Sequence, residues 1–414
     1  MKPLGTLIKG SAVMFAGMAA ASVASWLFTV LMGRALGPAS YAELVALVAL
    51  LGIIAVPAQA IQTTAAKFSS AFAAGRNTAA ITHLARRFSY WFTIFSLAGF
   101  LLYVLFSGLI ARFLNIENML PVVLLGTTIL SMFLLAINRG ILQGTEQFGK
   151  LSLSIATDPT LKLALGVAAV WLGLGVAGAV GGISFGIAVA YVWSTYWIKK
   201  MLPKHSTPVP LSAAKTYSSV SLIALIVTAL LFNNDVILAK HFLSAEAAGL
   251  YGALSTIGKI VFFITAPVAA VMFPLISKQV AKRQQHYPIL LGGLGLVGLV
   301  GALILVVYQL VPGLVVRVIY GGAYQAITPY LGLIGLVFLL YSLIFVMVQY
   351  FLSVDNHIMI VPLGATGVLH YLAIVRYHGT FGDLAMGQMV ALAVGLAALF
   401  ALYAIPKLTK LIAQ

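Results

Sequence analysis

Two pairs of oppositely charged residues interrupt otherwise apolar stretches of the sequence. Asp158 and Lys162 are four residues apart, a spacing that places both side chains on one face of a helix, with Pro159 between them. Asp235 lies in a later apolar stretch, and Lys259 lies about as deep in the next one. A lysine ammonium binds phosphate and other anions, whereas a buried carboxylate can hold a proton or a sodium ion. The lysines are therefore candidate anion-binding residues, and the aspartates are candidate sites for a coupling ion.

Each pair also has a purely structural interpretation. The first pair could neutralise itself within one helix, and the second could form a bond between neighbouring helices, because polar side chains commonly hold membrane helices together. Arg139, Lys67 and Arg34 lie at the ends of apolar stretches, where they could bind a substrate anion or extend to the lipid phosphates. His370 and Gln349 are weaker polar candidates. The residues alone leave these alternatives open.

The composition indicates a membrane protein. Of 414 residues, 62% are apolar and 8% are charged, whereas soluble proteins carry roughly 25% charged residues. A helix of ~20 apolar residues crosses the ~30 Å hydrocarbon layer of a bilayer. The sequence therefore predicts an all-α polytopic membrane protein with twelve membrane-spanning helices, at about 9–33, 40–65, 88–111, 119–142, 151–172, 175–198, 217–240, 248–276, 288–312, 329–352, 358–376 and 384–406.

The basic residues are unequally divided between alternate connections. Most of the 24 Lys and Arg residues fall on one side, which the positive-inside rule assigns to the cytoplasm together with both termini. The net charge of +16 is then explained by topology, so nucleic acid is not an expected partner.

The sequence predicts two halves of similar organisation. Its longest and most basic connection, 201–216, would join an N-terminal six-helix lobe at 1–200 to a C-terminal six-helix lobe at 217–414. Residues 34–42 align with 241–249, each between an outgoing and an incoming span. Since six spans is an even number, the lobes would be related by a pseudo-twofold axis along the membrane normal, as in transporters that rock two bundles about a central site. Shared turn chemistry without common ancestry is the alternative.

Familiar enzymatic motifs are excluded. The stretch from Gly252 to Lys259 has five residues between its glycines and no Ser or Thr after the lysine, so it does not match an ATP-binding phosphate loop. The seven histidines are scattered and there is no cysteine, so no zinc helix or thiolate site is expected. The external connections also lack an Asp-rich cluster that could hold a metal-bound sugar donor. We therefore expect neither enzymatic activity nor a cofactor or metal.

Short motifs in both lobes resemble those of a known family. They are Gly33–Tyr41 after the first span, Arg139–Gly144 with Phe148 after the fourth, Gly173, Gly175 and Gly178 between the fifth and sixth, and Asp235 with Gly249–Tyr251 in the second lobe. On these motifs, which touch about ten spans, the sequence resembles the polysaccharide biosynthesis proteins. These are the O-antigen (Wzx-type) flippases of the multidrug, oligosaccharidyl-lipid and polysaccharide (MOP) exporter superfamily. The sequence lacks the first-helix arginine and the fourteen spans of the related lipid II flippases, which argues against a peptidoglycan precursor as cargo.

The resemblance implies two bundles that open alternately to the two sides of the bacterial cytoplasmic (inner) membrane. The implied cargo is an undecaprenyl-pyrophosphate-linked oligosaccharide that moves from the inner to the outer leaflet, with membrane lipids and a polysaccharide polymerase as further partners. The candidate ligands of the pyrophosphate are Lys162, Lys259, Arg34, Lys67 and Arg139. The candidate carriers of a coupling H⁺ or Na⁺ are Asp158 and Asp235.

Two other functions are compatible with the composition. A cation-coupled multidrug exporter of the same superfamily would have a cavity dominated by acids and aromatics, and two interior acids among several basic groups disfavour it. A membrane enzyme or assembly scaffold would need larger external loops than this sequence has.

Overall fold

The chain folds into helices that divide into two compact units, Met1–Ser218 and Ser219–Gln414. The computed structural model describes residues 2–203, 205–209 and 219–412, and within these ranges it contains helices and connections but no strand. The predicted all-α fold class is confirmed. Of the predicted linker 201–216, residues 204 and 210–216 lie outside the described residues.

Six long helices form the described part of the N-terminal unit. They are α1 (Lys2–Ile54), α2 (Val56–Ala74), α3 (Thr78–Phe113), α4 (Met119–Gly144), α5 (Phe148–Ala169) and α6 (Gly175–Met201), with a π-helical turn at Val170–Leu174 between the last two. α4 is the most buried of the six and packs against α2, α3 and α6.

Glycines break the two longest helical stretches of this unit. Gly37 has a φ of 71° inside α1 and is followed by Pro38. Gly173 and Gly175 have φ values of 86° and 52° between α5 and α6. Only glycine adopts positive φ without a steric penalty, and proline suits the start of the helix that follows. The breaks lie where the sequence predicts that one span ends and the next begins.

The described helices are long and apolar enough for twelve membrane crossings. Ten helical stretches are long and apolar enough to span a membrane, but Ala16–Ala74 and Phe148–Met201 contain 59 and 54 residues. At 1.5 Å per residue each is more than twice the ~30 Å of hydrocarbon. Because each of these two stretches is also interrupted by a glycine break, each has the length and the break needed for two crossings. The protein is therefore a multi-pass membrane protein.

Seven helices form the described part of the C-terminal unit. They are α7 (Ser219–Phe242), α8 (Ala245–Ala281), α9 (Tyr287–Leu310), α10 (Pro312–Ile319), α11 (Leu331–Ser353), α12 (Ile360–Arg376) and α13 (Phe381–Ile412). α11 is the most buried and packs against α8, α9 and α13. The connection that the sequence places between the ninth and tenth spans contains α10 and a 3₁₀ helix at Gly322–Tyr330.

The polar triplet of the seventh span does not interrupt its helix. Asn233, Asn234 and Asp235 interrupt the apolar sequence of the span, and α7 is continuous through all three. The Asn233 side chain donates to the Ala229 carbonyl one turn earlier, at 2.9 Å, so its polar group is satisfied within the helix.

Candidate functional site

An ion pair joins α4 to α5 in the N-terminal unit. Arg139 Nη2 lies 2.5 Å from Asp158 Oδ1, and the two side chains are 16% and 24% exposed. The same guanidinium donates to the hydroxyl and the carbonyl of Ser154 at 3.2 and 2.5 Å. Arg139 therefore points into the unit, so the alternative in which it extends to the lipid phosphates is wrong. Its several charge-assisted hydrogen bonds fix the guanidinium in one orientation.

Glycines allow the helices that carry this pair to approach closely. Gly140 of α4 faces the backbone of α2, where a Cβ would lie 2.6 Å from the Cβ of Ala65. Gly186 of α6 faces α5, where a Cβ would lie 2.7 Å from the Asp158 carbonyl oxygen. Both distances are shorter than real Cβ atoms tolerate, so a larger side chain at Gly140 would push α4 from α2, and one at Gly186 would push α6 from the backbone of Asp158.

A cavity of about 220 Å³ opens beside the ion pair. Gln59 and Gln62 of α2 line it together with Arg139 and Asp158. The Gln62 amide also donates to Gln143 Oε1 at 3.3 Å. The remaining lining is apolar and comes from Leu51, Ala55, Ala58, Met132, Leu135, Ala136 and Ile187. A guanidinium, a carboxylate and two amides in one concave site can hydrogen-bond phosphate oxygens or sugar hydroxyls.

Lys162 lies on α5 one turn beyond Asp158 but does not form an ion pair with it. Its ammonium donates to Ser25 Oγ at 3.2 Å and lies 4.9 Å from the centre of the Phe28 ring. Among the described residues, the carboxylate of Asp158 has Arg139 as its ion-pair partner. Asp158 and Lys162 therefore do not form the expected ion pair within one helix, although the charge of Asp158 still acts on Lys162. Lys162 is left half-buried with a hydroxyl and an aromatic face as its partners.

Arg34 and Lys67 lie apart from the cavity. Arg34 is exposed three residues before the break at Gly37, and Lys67 is exposed on α2. Neither residue lines the cavity. Their assignment to the substrate path remains a prediction.

The second predicted pair forms in the C-terminal unit. Lys259 Nζ of α8 lies 3.7 Å from Asp235 Oδ1 of α7, and Ser255 donates to Oδ2 at 2.5 Å. The ammonium also lies 4.8 and 5.7 Å from the ring centres of Phe232 and Phe338. The side chain of Asp235 is 1% exposed and that of Lys259 is 10% exposed, so this pair is enclosed by packed helices. The buried ammonium of Lys259 is tolerated because the opposite charge and the aromatic faces compensate for its lost hydration.

Three further buried polar residues from α8, α12 and α13 extend this site. The amide nitrogen of Gln388 donates to the Tyr251 hydroxyl at 2.6 Å and to the Leu384 carbonyl at 3.0 Å. His370 is fully buried beside Gln388 and within range of the charge of Asp235. We call the set of Asp235, Tyr251, Ser255, Lys259, His370 and Gln388 the C-terminal polar cluster. His370 was only a weak candidate in the sequence and Gln388 was not predicted, although both are polar residues in apolar stretches, the signal that identified the aspartates.

Three buried polar atoms of this cluster have no hydrogen-bond partner among the described residues. They are Oδ1 of Asp235 and both ring nitrogens of His370. A buried polar atom without a partner costs about 1 to 3 kcal/mol, so such atoms in native proteins usually have a functional or solvent-related reason.

Comparison with known proteins identifies the family and the fold. A family model described as polysaccharide biosynthesis protein matches residues 32–329. No curated protein matches the sequence.

Several solved structures share the fold. An inward-facing multidrug resistance MATE family transporter of the MOP superfamily is similar with a TM-score of 0.76 and 15% identity, over 93% of this chain and 96% of that chain. The lipid II flippase MurJ in an inward closed conformation is similar with a TM-score of 0.72 and 14% identity, over 96% of this chain and 87% of that chain. A third similar structure is a MOP superfamily transporter from Pyrococcus furiosus, which is described by the reverse polarity of its binding pocket. Its TM-score is 0.64 and its sequence identity 16%, over 96% of both chains.

Proposed function

We propose a function from one premise: this chain belongs to the polysaccharide biosynthesis protein family, whose model covers residues 32–329. The proposed function is translocation of an undecaprenyl-pyrophosphate-linked oligosaccharide from the inner to the outer leaflet of the bacterial cytoplasmic membrane by alternating access. The family supports the saccharide, and the multi-pass helical fold, shared with a lipid II flippase, supports movement of a lipid-linked headgroup across the bilayer.

The polar cavity of the N-terminal unit is the observation that carries this proposal. A pyrophosphate with attached sugars cannot cross hydrocarbon unaided, because its charges and hydroxyls would lose their hydration. The cavity offers Arg139 for phosphate, and Gln59 and Gln62 for phosphate or sugar, within the membrane-spanning helices. Lys162 adds a half-buried ammonium without an ion-pair partner among the described residues.

Coupling to H⁺ or Na⁺ is assigned to Asp158 and Asp235. Each carboxylate holds a cationic side chain of this chain, Arg139 or Lys259. Neutralising a carboxylate with a bound cation would weaken its hold on that side chain, which could then bind an anionic headgroup. Ion binding and headgroup binding would thereby be linked in both directions.

The same pairing disfavours export of cationic drugs. A site for an organic cation needs a carboxylate that is free to pair with it. In the described spans, Asp158 and Asp235 already pair with basic side chains.

The test is a deletion strain complemented with variants. We expect deletion to retain lipid-linked sugar on the inner leaflet and to abolish surface glycan. Lys162→Ala should reduce surface glycan about tenfold, because it removes one charge-assisted contact to phosphate, and Lys162→Arg should restore most of it. The matched control is Lys199→Ala, an exposed lysine at the end of α6 that should behave like wild type. A deletion strain in which the lipid-linked sugar still reaches the outer leaflet would contradict the proposal.

A further inference from the structure

The short helix α10 has an exposed apolar face. Leu314 and Val318 are 60% and 62% exposed, whereas Val316 between them is fully buried. Because residues four apart lie on the same face of a helix, Leu314 and Val318 form one side of α10, and the buried side lies opposite. Arg317 is exposed next to the apolar side. The outward side of α10 is therefore apolar, flanked by one cation, and not covered by the described residues.

This face of α10 continues the exposed side of α9. From residue 291 to residue 307, every exposed residue of α9 is Leu, Val, Ala or Gly. A membrane-spanning helix turns such a side towards hydrocarbon, because a water-filled path is lined by polar side chains. A helical hydrogen bond of 3.1 Å, from Val315 N to the Val311 carbonyl, spans the proline between the two helices. Leu310 and Leu314, four residues apart across this bend, are both exposed, so the lipid-facing side passes from α9 to α10.

The lengths of the two helices indicate where α10 lies in the bilayer. α9 has 24 residues, which at ~1.5 Å each already exceed the ~30 Å of hydrocarbon. α10 has 8 residues and is too short to cross the bilayer itself. It follows the end of α9 that the positive-inside rule assigns to the outer side. α10 therefore lies at the level of the lipid headgroups, where amphipathic helices bury an apolar side at the boundary with the acyl chains.

We propose that α10 is an interfacial helix that inserts Leu314 and Val318 into the outer leaflet and binds the phosphate of a phospholipid through Arg317. Bilayer lipid is the partner of the exposed face, because this face is continuous with the lipid-facing side of α9. A guanidinium forms charge-assisted hydrogen bonds with phosphate, and a long basic side chain at the membrane boundary extends to the headgroups. The apolar and the basic side chains of α10 thus match the two layers of one leaflet.

The 3₁₀ helix that follows α10 holds it against the C-terminal unit. Gln325 Nε2 donates to the Gly313 carbonyl at 3.3 Å, and the Thr328 hydroxyl donates to Gln325 Oε1 at 3.2 Å. Tyr324 and Ile327 of the same 3₁₀ helix are buried, and this helix packs against α8 and α11. Insertion of α10 would therefore fix this end of the C-terminal unit at the level of the headgroups.

The depth of α10 is measured by spin labelling of the full chain, which has no cysteine of its own. Leu314→Cys and Val318→Cys are labelled in vesicles of phosphatidylcholine and phosphatidylglycerol. The references are Leu303→Cys, at an exposed position within α9, and Glu117→Cys, in an exposed connection. We expect the labels on α10 to collide with oxygen more often than with a water-soluble nickel chelate, as at Leu303→Cys, and the label at Glu117→Cys to show the reverse. A nickel collision rate at Leu314→Cys equal to that at Glu117→Cys would overturn the proposal.

The same labels test the partner and the role of Arg317. The vesicles contain only this chain and lipid, so a face that binds another protein would leave its label in water, which would overturn the proposal. A second copy on the face would give a dipolar coupling that dilution with unlabelled protein removes, and this result would also overturn it. Arg317→Gln should move the label at Leu314→Cys towards water, and Arg317→Lys should keep it at its original depth. An unchanged depth in Arg317→Gln would overturn the phosphate contact.

Discussion

At the residue scale, each of the two membrane-embedded aspartates, Asp158 and Asp235, is paired with a basic side chain on another helix. The pairing of Asp235 with Lys259 could be predicted because both residues lie at similar depth in consecutive spans. The pairing of Asp158 could not, because Lys162 is the nearest cation in sequence while Arg139 comes from α4 through tertiary packing. Spacing along one helix shows which residues share a face, but the helix opposite that face determines the partner.

We expect the ion pair between Arg139 and Asp158 to stabilise the fold. Arg139→Gln leaves the part-buried carboxylate of Asp158 without its cation, so we expect the free energy of unfolding to fall by about 1 to 3 kcal/mol. Heat unfolding of the purified protein in detergent measures the change. Arg139→Gln combined with Asp158→Asn should recover part of the loss, and Arg112→Gln, at an exposed arginine of α3, should have little effect. Equal unfolding temperatures for wild type and Arg139→Gln would show that the pair does not stabilise the fold.

At the element scale, the helix boundaries follow from the residue types at those positions. The places where two helices pack closely do not. The span boundaries at Gly37 and between Gly173 and Gly175 were predictable because glycine, which permits a positive φ, and proline are visible in the sequence. The close packing of α5 against α6 at Gly186 could not be predicted, because a glycine in a helix does not indicate which neighbouring helix packs against it. Gln59 and Gln62 were missed for a similar reason, since amides are common in helices and only the cavity distinguishes them.

Two glycines on α6 provide a matched test of this packing. Gly186→Ala would place a methyl group 2.7 Å from the Asp158 carbonyl oxygen, so we expect α5 to shift, the ion pair to weaken and surface glycan to fall. Gly181→Ala is the control, since no described atom outside its own helical turn lies within 4 Å of the position of its Cβ. Surface glycan and unfolding temperature are measured for both variants. If Gly181→Ala lowers surface glycan and unfolding temperature as much as Gly186→Ala does, the loss is caused by a change in helix flexibility and not by the close packing of α6 against α5.

The break in α1 gives a purely conformational prediction. Gly37 has a φ of +71°, and a Cβ at this position would meet no described atom within 4 Å. Gly37→Ala should therefore cost about 1 to 3 kcal/mol through backbone strain alone. Gly149→Ala, which also has open space but no positive φ, should be neutral or slightly stabilising. Heat unfolding of the two variants compares them. A neutral Gly37→Ala would mean that the break tolerates other backbone conformations.

At the scale of the whole molecule, hydropathy alone predicted an all-α membrane protein with twelve crossings. The prediction of the fold succeeds because a bilayer allows an apolar chain few structures. For this chain they are helices of about 20 residues, in which the backbone groups are hydrogen-bonded within the helix. The cargo is less constrained, because phosphate and sugar hydroxyls are recognised by donors and acceptors that many sites share. In the proposed function, the saccharide class is taken from the family, and the polar residues of the N-terminal cavity are the proposed means of binding it.

The central claim, that this protein moves a lipid-linked saccharide between leaflets, is tested most directly by reconstitution. Purified protein is inserted into vesicles with a fluorescent polyprenyl-pyrophosphate-linked oligosaccharide, and a membrane-impermeant quencher measures how fast the labelled headgroup changes leaflet. We expect transfer that scales with the amount of protein and that falls in Lys162→Ala and Arg139→Gln but not in Lys199→Ala. Transfer no faster than in protein-free vesicles, with the protein folded and inserted, would contradict the account.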